Sequence, residues 1–68
     1  MKTNIAKNIK FYRKQHLTQG QLAEKLDGKA SLVSNYENGH STPDIYTLCK
    51  LAEIFNISLD ELVDYKKN

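Results

Sequence analysis

Two short stretches of this chain mark helix starts so specifically that they constrain everything around them. Thr18-x-x-Gln21 and Ser58-x-x-Glu61 each set a hydroxyl residue three positions before an amide or carboxylate. In such a box the hydroxyl accepts from the third backbone N–H, and the Gln or Glu reaches back to the N–H of the hydroxyl residue. Leu17 with Leu22, and Ile57 with Leu62, add an apolar staple across each cap. A strand uses neither device, so helices run on from residues 18 and 58.

The rest of the chain repeats with a helical period, and no run alternates as a half-buried strand does. A first helix is expected over about 4–15, with Ile5, Ile9 and Tyr12 on one face beside Ala6, and Thr3 or Asn4 as its cap. Lys7, Lys10, Arg13 and Lys14 fall largely off that face. The second runs over about 18–26 with Leu22, Ala23 and Leu26 inward, and Asp27-Gly28 breaks it. The third covers about 30–38, with Val33 and Tyr36 inward and Gly39 as a left-handed stop. The fourth covers about 44–55, with Pro43 in its first turn and Thr42 or Asp44 as cap. Ile45, Leu48, Ala52 and Phe55 are expected to line its inner face, flanked by Leu51 and Cys49, with Asn56 left-handed after it. A short fifth helix spans about 59–64, and residues 65–68 form a tail. The expected fold is all-α: five short helices in one compact domain.

At 68 residues there is room for one domain and a thin core. Leu, Ile, Val and Phe make up a quarter of the chain, above the roughly 20% below which disorder is the default. No apolar run exceeds two residues, so nothing spans a bilayer, and no apolar segment follows Met1-Lys2-Thr3-Asn4 as in a signal peptide. A cytoplasmic location is expected. Cys49 alone makes no internal disulfide, and with His16 and His40 it makes no closed zinc site. Cys49 reads as a small buried hydrophobe, with a redox thiol as the second reading. There is no serine–histidine–acid set and no phosphate-cradling glycine loop, which argues against an enzyme. No cofactor, metal or small-molecule ligand is expected.

The net charge of +2 conceals an asymmetry. Residues 1–16 hold Lys2, Lys7, Lys10, Arg13 and Lys14 and no acid, a charge of +5, whereas residues 44–68 sum to −2. A basic end on a nearly neutral domain suits an anionic partner. The second and third helices, joined by a very short turn containing glycine, form the bihelical unit that reads DNA. The second member of such a pair enters a major groove about 12 Å wide, while the first crosses the phosphates. Between Lys29 and Tyr36 the outward residues Lys29, Ala30, Ser31, Ser34 and Asn35 are small or polar and include no acid. Asn pairs bidentately with adenine, Ser donates or accepts, and Ala meets a thymine methyl.

With these residues the chain resembles the Cro/lambda-repressor-type helix-turn-helix family, also called XRE. The resemblance rests on Leu17-Thr18-Gln19-Gly20-Gln21-Leu22-Ala23-Glu24-Lys25-Leu26, Val33-Ser34-Asn35-Tyr36-Glu37-Asn38-Gly39, Pro43, Leu48-x-x-Leu51-Ala52 and Ile57-Ser58-Leu59-Asp60-Glu61-Leu62. It covers roughly residues 5–63. It implies a five-helix DNA-binding domain of a prokaryotic or phage transcriptional regulator, most often a repressor, bound to double-stranded DNA as a homodimer. It further implies base reading by Ala30, Ser31 and Asn35, with Lys29 and Ser34 beside them. Phosphate contacts are implied at Thr18, Gln19 and Asn38, and in the loop at His40 and Ser41; His40 has a second reading as a solvated loop histidine. Arg13 and Glu37 match a structural pair bridging the first helix to the end of the third. Ile54, Phe55, Leu62 and Tyr65 are the candidates for a dimer surface, with core packing as their alternative role. An antitoxin or controller whose main partner is a protein is the other functional reading.

The chain departs from the family pattern in four ways. A glycine is usual where Asp27 stands, an apolar residue at Gly28, and a Ser or Thr cap at Lys29. Asp27 is therefore a candidate cap for the third helix. The join Gln15-His16-Leu17 is one residue short, and Gly20 occupies a first-turn position at a helix cost of up to ~1 kcal/mol. Leu32 is apolar on a partly exposed position, either packing under the second helix or meeting a thymine methyl.

Overall fold

The structure is a computed structural model that describes residues 3–64. Its helices are α1 (Ile5–Lys14), α2 (Gln19–Lys25), α3 (Ala30–Glu37), α4 (Ile45–Phe55) and α5 (Leu59–Val63). No strand occurs among the described residues. Each helix lies within about one residue of its expected bounds, and the all-α architecture is confirmed.

Side-chain caps start three of the five. Thr18 Oγ1 accepts from the Gln21 N–H at 3.1 Å while Gln21 Oε1 accepts from the Thr18 N–H at 2.8 Å. Ser58 and Glu61 close the same reciprocal pair at 3.0 and 3.1 Å. Asp44 caps α4 by accepting from the Thr47 N–H at 2.9 Å, and this backbone bond, with Thr47's side chain, holds its carboxyl below the ordinary value. Pro43 thus lies outside α4, buried one residue ahead of its cap, not in the first turn as expected. Asn4 heads α1 without a side-chain cap.

Three helices stop alike. After α2, α3 and α4 a residue turns left-handed: Asp27 (φ 56°), Gly39 (φ 74°) and Asn56 (φ 57°). In each case the next N–H reaches back over the last turn: Gly28 to Ala23 O at 2.9 Å, His40 to Asn35 O at 2.9 Å, Ile57 to Ala52 O at 3.0 Å. This is the Schellman closure, which satisfies carbonyls the helix leaves free.

Ile9, Leu22, Val33, Leu51 and Leu62, from all five helices, are fully buried and meet at the centre. Ala23, Tyr36, Leu48 and Ala52 complete the core. The inner face of α4 is therefore Leu48, Leu51 and Ala52. Ile45 is 54% exposed and Cys49 is exposed, contrary to expectation. Cys49 lies about 100° around the helix from Leu48, which turns it off the core. At the start of α4 it is Pro43, not Ile45, that is buried.

Helix α5 has only five residues, too few to persist unaided. Asn8 of α1 and Asn4 just ahead of that helix hold it. Asn8 Nδ2 donates to the carbonyls of Glu61 (3.2 Å) and Leu62 (3.0 Å), and the Asn4 N–H donates to Val63 O at 3.1 Å. Tyr12, one turn further on, stacks on Phe55 at the end of α4, 5.9 Å between ring centroids.

Candidate nucleic-acid interface

Helices α2 and α3 are joined by Leu26-Asp27-Gly28-Lys29. Asp27, not a glycine, takes the left-handed position, and it does not cap α3. The cap of α3 is Lys29, extended and with no side-chain bond to the helix. A Cβ on Gly28 would stand 2.7 Å from Leu32 Cδ2. Leu32 thus fills the space that an apolar side chain at position 28 would take. It is half-buried and packs against the core, which settles its role as packing.

One ionic cluster fixes the attitude of this pair. The Arg13 guanidinium, on α1, grips both carboxylate oxygens of Glu37 at the end of α3, Nη2 to Oε1 at 3.1 Å and Nε to Oε2. Arg13 Nη1 also donates to Leu17 O at 3.1 Å in the α1–α2 connection. Gln19 Nε2, in the first turn of α2, donates to Glu37 Oε1 at 3.1 Å. The Glu37 side chain is 2% exposed and that of Arg13 11%. A planar bidentate pair of this kind resists rotation, so α3 is fixed against α1 and α2. The structural role expected of Arg13 and Glu37 matches this geometry. The Gln19 amide belongs to the same cluster and spends one of its two N–H groups on Glu37.

The outer face of α3 is open. Lys29, Ala30, Ser31 and Asn35 are exposed, and Asn35 lies one turn beyond Ser31 on the same face. No hydrogen bond engages the Asn35 carboxamide among the described residues. Ser34 is half-buried, and its hydroxyl accepts from Asn38 Nδ2 at 3.2 Å. Asn38, His40 and Ser41 are exposed where α3 closes, and Thr18 is exposed at the start of α2. Of the dimer candidates, Ile54 and Phe55 are half-buried. Leu62 is fully buried at the meeting point of the core, so it packs and presents no surface. Tyr65 lies outside the described residues.

Sequence reasoning missed the two asparagines that hold α5 and the inclusion of Gln19 in the ionic cluster. Asn8 sits one turn after Asn4 on the Tyr12 side of α1, which was the available signal. No helix among the described residues is long and apolar enough to cross a membrane.

A clamped two-helix unit whose second helix carries no acid on its exposed face defines a helix-turn-helix DNA-binding domain. The chain matches the helix-turn-helix family over residues 9–62 and belongs to that family, of the XRE type. It is 39% identical over 61 residues to the HTH-type transcriptional regulator ImmR of Bacillus subtilis (strain 168), covering 88% of this chain and 48% of ImmR. A transcriptional regulator from Listeria innocua superposes with a TM-score of 0.90 at 36% identity, over 100% of this chain and 64% of that one. The S. venezulae BldD DNA-binding domain superposes with a TM-score of 0.72 at 25% identity, over 88% of this chain and 91% of that domain. The chain spans about half the length of the curated relatives it matches.

Proposed function

We propose that the chain is a sequence-specific double-stranded DNA-binding transcriptional regulator that represses by occupying a near-palindromic operator as a homodimer. In this reading α3 lies in the major groove. Lys29, Ala30, Ser31 and Asn35 face base edges, with Ser34 behind them. Thr18, Gln19, Asn38, His40 and Ser41 meet phosphates. The observation that carries the reading is the exposed, acid-free face of α3, held in one attitude by the Arg13–Glu37–Gln19 cluster. One such domain buries only about 600–1,000 Å² on DNA, so two copies on half-sites a helical turn apart supply the affinity and the symmetry. Ile54, Phe55 and Tyr65 remain the candidates for the surface between copies.

The test is selection of bound sequences from a random duplex pool at two salt concentrations. Palindromic enrichment with half-sites about one turn apart supports the reading. Asn35→Ala then relaxes preference at one base pair by about 1–3 kcal/mol, whereas Asn38→Ala weakens all sequences alike. A steep salt dependence without enrichment overturns specific recognition and directs attention to a protein partner, as in an antitoxin or controller.

A further inference from the structure

Asn38 closes α3 and is tied twice to the residue one turn before it. Its backbone N–H donates to Ser34 O at 2.9 Å, and its side-chain Nδ2 donates to Ser34 Oγ at 3.2 Å. Ser34 is half-buried and Asn38 is exposed. Among the described residues the Ser34 hydroxyl has no partner but Asn38. A carboxamide nitrogen carries two N–H donors, so the bond to Ser34 uses one and leaves the second unspent. Gln19 repeats the arrangement in the first turn of α2, with one N–H on Glu37 Oε1 at 3.1 Å. The two acceptors, Ser34 and Glu37, are three positions apart and so share one side of α3. Ser34 is turned about 100° around the helix from the exposed Asn35.

We infer that Ser34 is a positioning residue for the phosphate contact of Asn38 and reads no base. The inference rests on the DNA-binding reading above and assigns Ser34 to the phosphate side of that interface. An exposed asparagine without a partner samples several rotamers, and fixing one of them on binding takes back part of what the contact contributes. The Ser34 hydroxyl orders the carboxamide before DNA arrives, with the second N–H left for a phosphate oxygen. Asn38→Ala therefore removes the contact itself. Ser34→Ala removes only the ordering, and it does so for every DNA sequence, because phosphate contacts carry no sequence information. A serine that met a base edge would instead act at one base pair.

The test is a double-mutant cycle on DNA affinity, run at low salt with the enriched duplex and with a random-sequence duplex of about 20 base pairs. If no sequence is enriched, the random duplex alone carries the cycle. Asn38→Ala is expected to weaken binding to both duplexes by about five- to tenfold, and Ser34→Ala by about threefold, the order of a neutral hydrogen bond and a part of one. The double variant is expected to match Asn38→Ala alone, because Ser34 acts only through Asn38. Alanine is a better helix former than serine, so Ser34→Ala keeps or raises Tm, and affinity lost without a lower Tm separates positioning from folding. Factors that multiply in the double variant overturn the inference. So does a loss confined to one base pair of the enriched duplex, which returns Ser34 to the base-reading set. A native chain that binds neither duplex overturns the DNA-binding reading and the role of Ser34 with it. A native chain that binds duplex and gives an additive cycle overturns the role of Ser34 alone.

Discussion

Arg13→Ala is the sharpest test of how the recognition unit is held. The substitution removes the guanidinium that makes two contacts to Glu37 and one to Leu17 O. The Glu37 carboxylate, 2% exposed, then keeps only the Gln19 amide. Breaking a buried pair from one side costs about 3–5 kcal/mol, because a charge is left without a partner. A domain of this size has a total stability of only about 3–10 kcal/mol, so the variant loses much of it. At about 4–8 °C per kcal/mol, Tm falls by about 12–40 °C. Replacing both members, Arg13→Met with Glu37→Leu, removes the two charges together and is expected to cost far less than the single change, within about 2 kcal/mol of the native chain. Urea and thermal unfolding followed by circular dichroism give both numbers and the coupling between the sites. If Arg13→Ala costs under about 1 kcal/mol, the pair is solvated in solution and the argument that it fixes α3 is wrong.

Three further outcomes follow from the helix ends. Asp27→Gly removes a Cβ from a left-handed backbone at φ 56° and is expected to add about 0.5–1 kcal/mol, read as a higher Tm; the ion pair it gives up, Lys50 to Asp27 at 4.0 Å, is exposed and worth little. A lower Tm would refute the strain. Asn8→Ala frees the carbonyls of Glu61 and Leu62 and is expected to cost about 1–2 kcal/mol, with hydrogen exchange accelerating most in α5; uniform acceleration would mean that α5 is held by packing alone. Asp44 supplies a pH dependence. Its carboxyl titrates below the ordinary 3.8 in the folded chain because the ionised form accepts from the Thr47 N–H, so its contribution is full above that value and is lost as pH falls through the lower, folded one. Asp44→Asn caps without titrating, so the advantage of the native chain over it should shrink in acid melts below pH 3.8. A constant difference across that range would count against the cap.

How much of this was legible depended on whether a residue's role is set locally. The reciprocal caps at Thr18 and Ser58 involve four consecutive residues each, so the sequence contains the whole interaction. Gly39 and Asn56 were readable as left-handed for the same reason. Asp27 was not, because a glycine stands next to it and glycine is the usual occupant of that conformation. The Arg13–Glu37 pair joins residues 24 positions apart, and only the family resemblance pointed to it. Asn8 to Leu62 spans 54, and its spacing from Asn4 and Tyr12 names a face of α1 but not the partner it meets. On α4 the apolar stripe reads as two overlapping faces, and which one turns inward is decided by where α1 and α5 stand, so Ile45 and Cys49 were misplaced.

The turn between α2 and α3 shows how a departure from the family pattern is absorbed without disturbing the reading face. Moving the glycine from 27 to 28 leaves an L-residue in the left-handed position and removes an apolar side chain. The second loss is offset from α3 itself, where Leu32 leans over Gly28 into the vacated space. That engagement packs Leu32 over the α2–α3 turn. It also predicts coupling. Gly28→Val brings a side chain to the site that Leu32 holds, and Leu32→Ala empties it. Each change alone is expected to destabilise, by about 1–3 kcal/mol for crowding and about 2 kcal/mol or more for the void. The two together should cost less than their sum, by an interaction energy of at least about 0.5 kcal/mol. Strict additivity would mean that the two side chains never share that space, and Leu32 would return to the list of groups free to meet DNA.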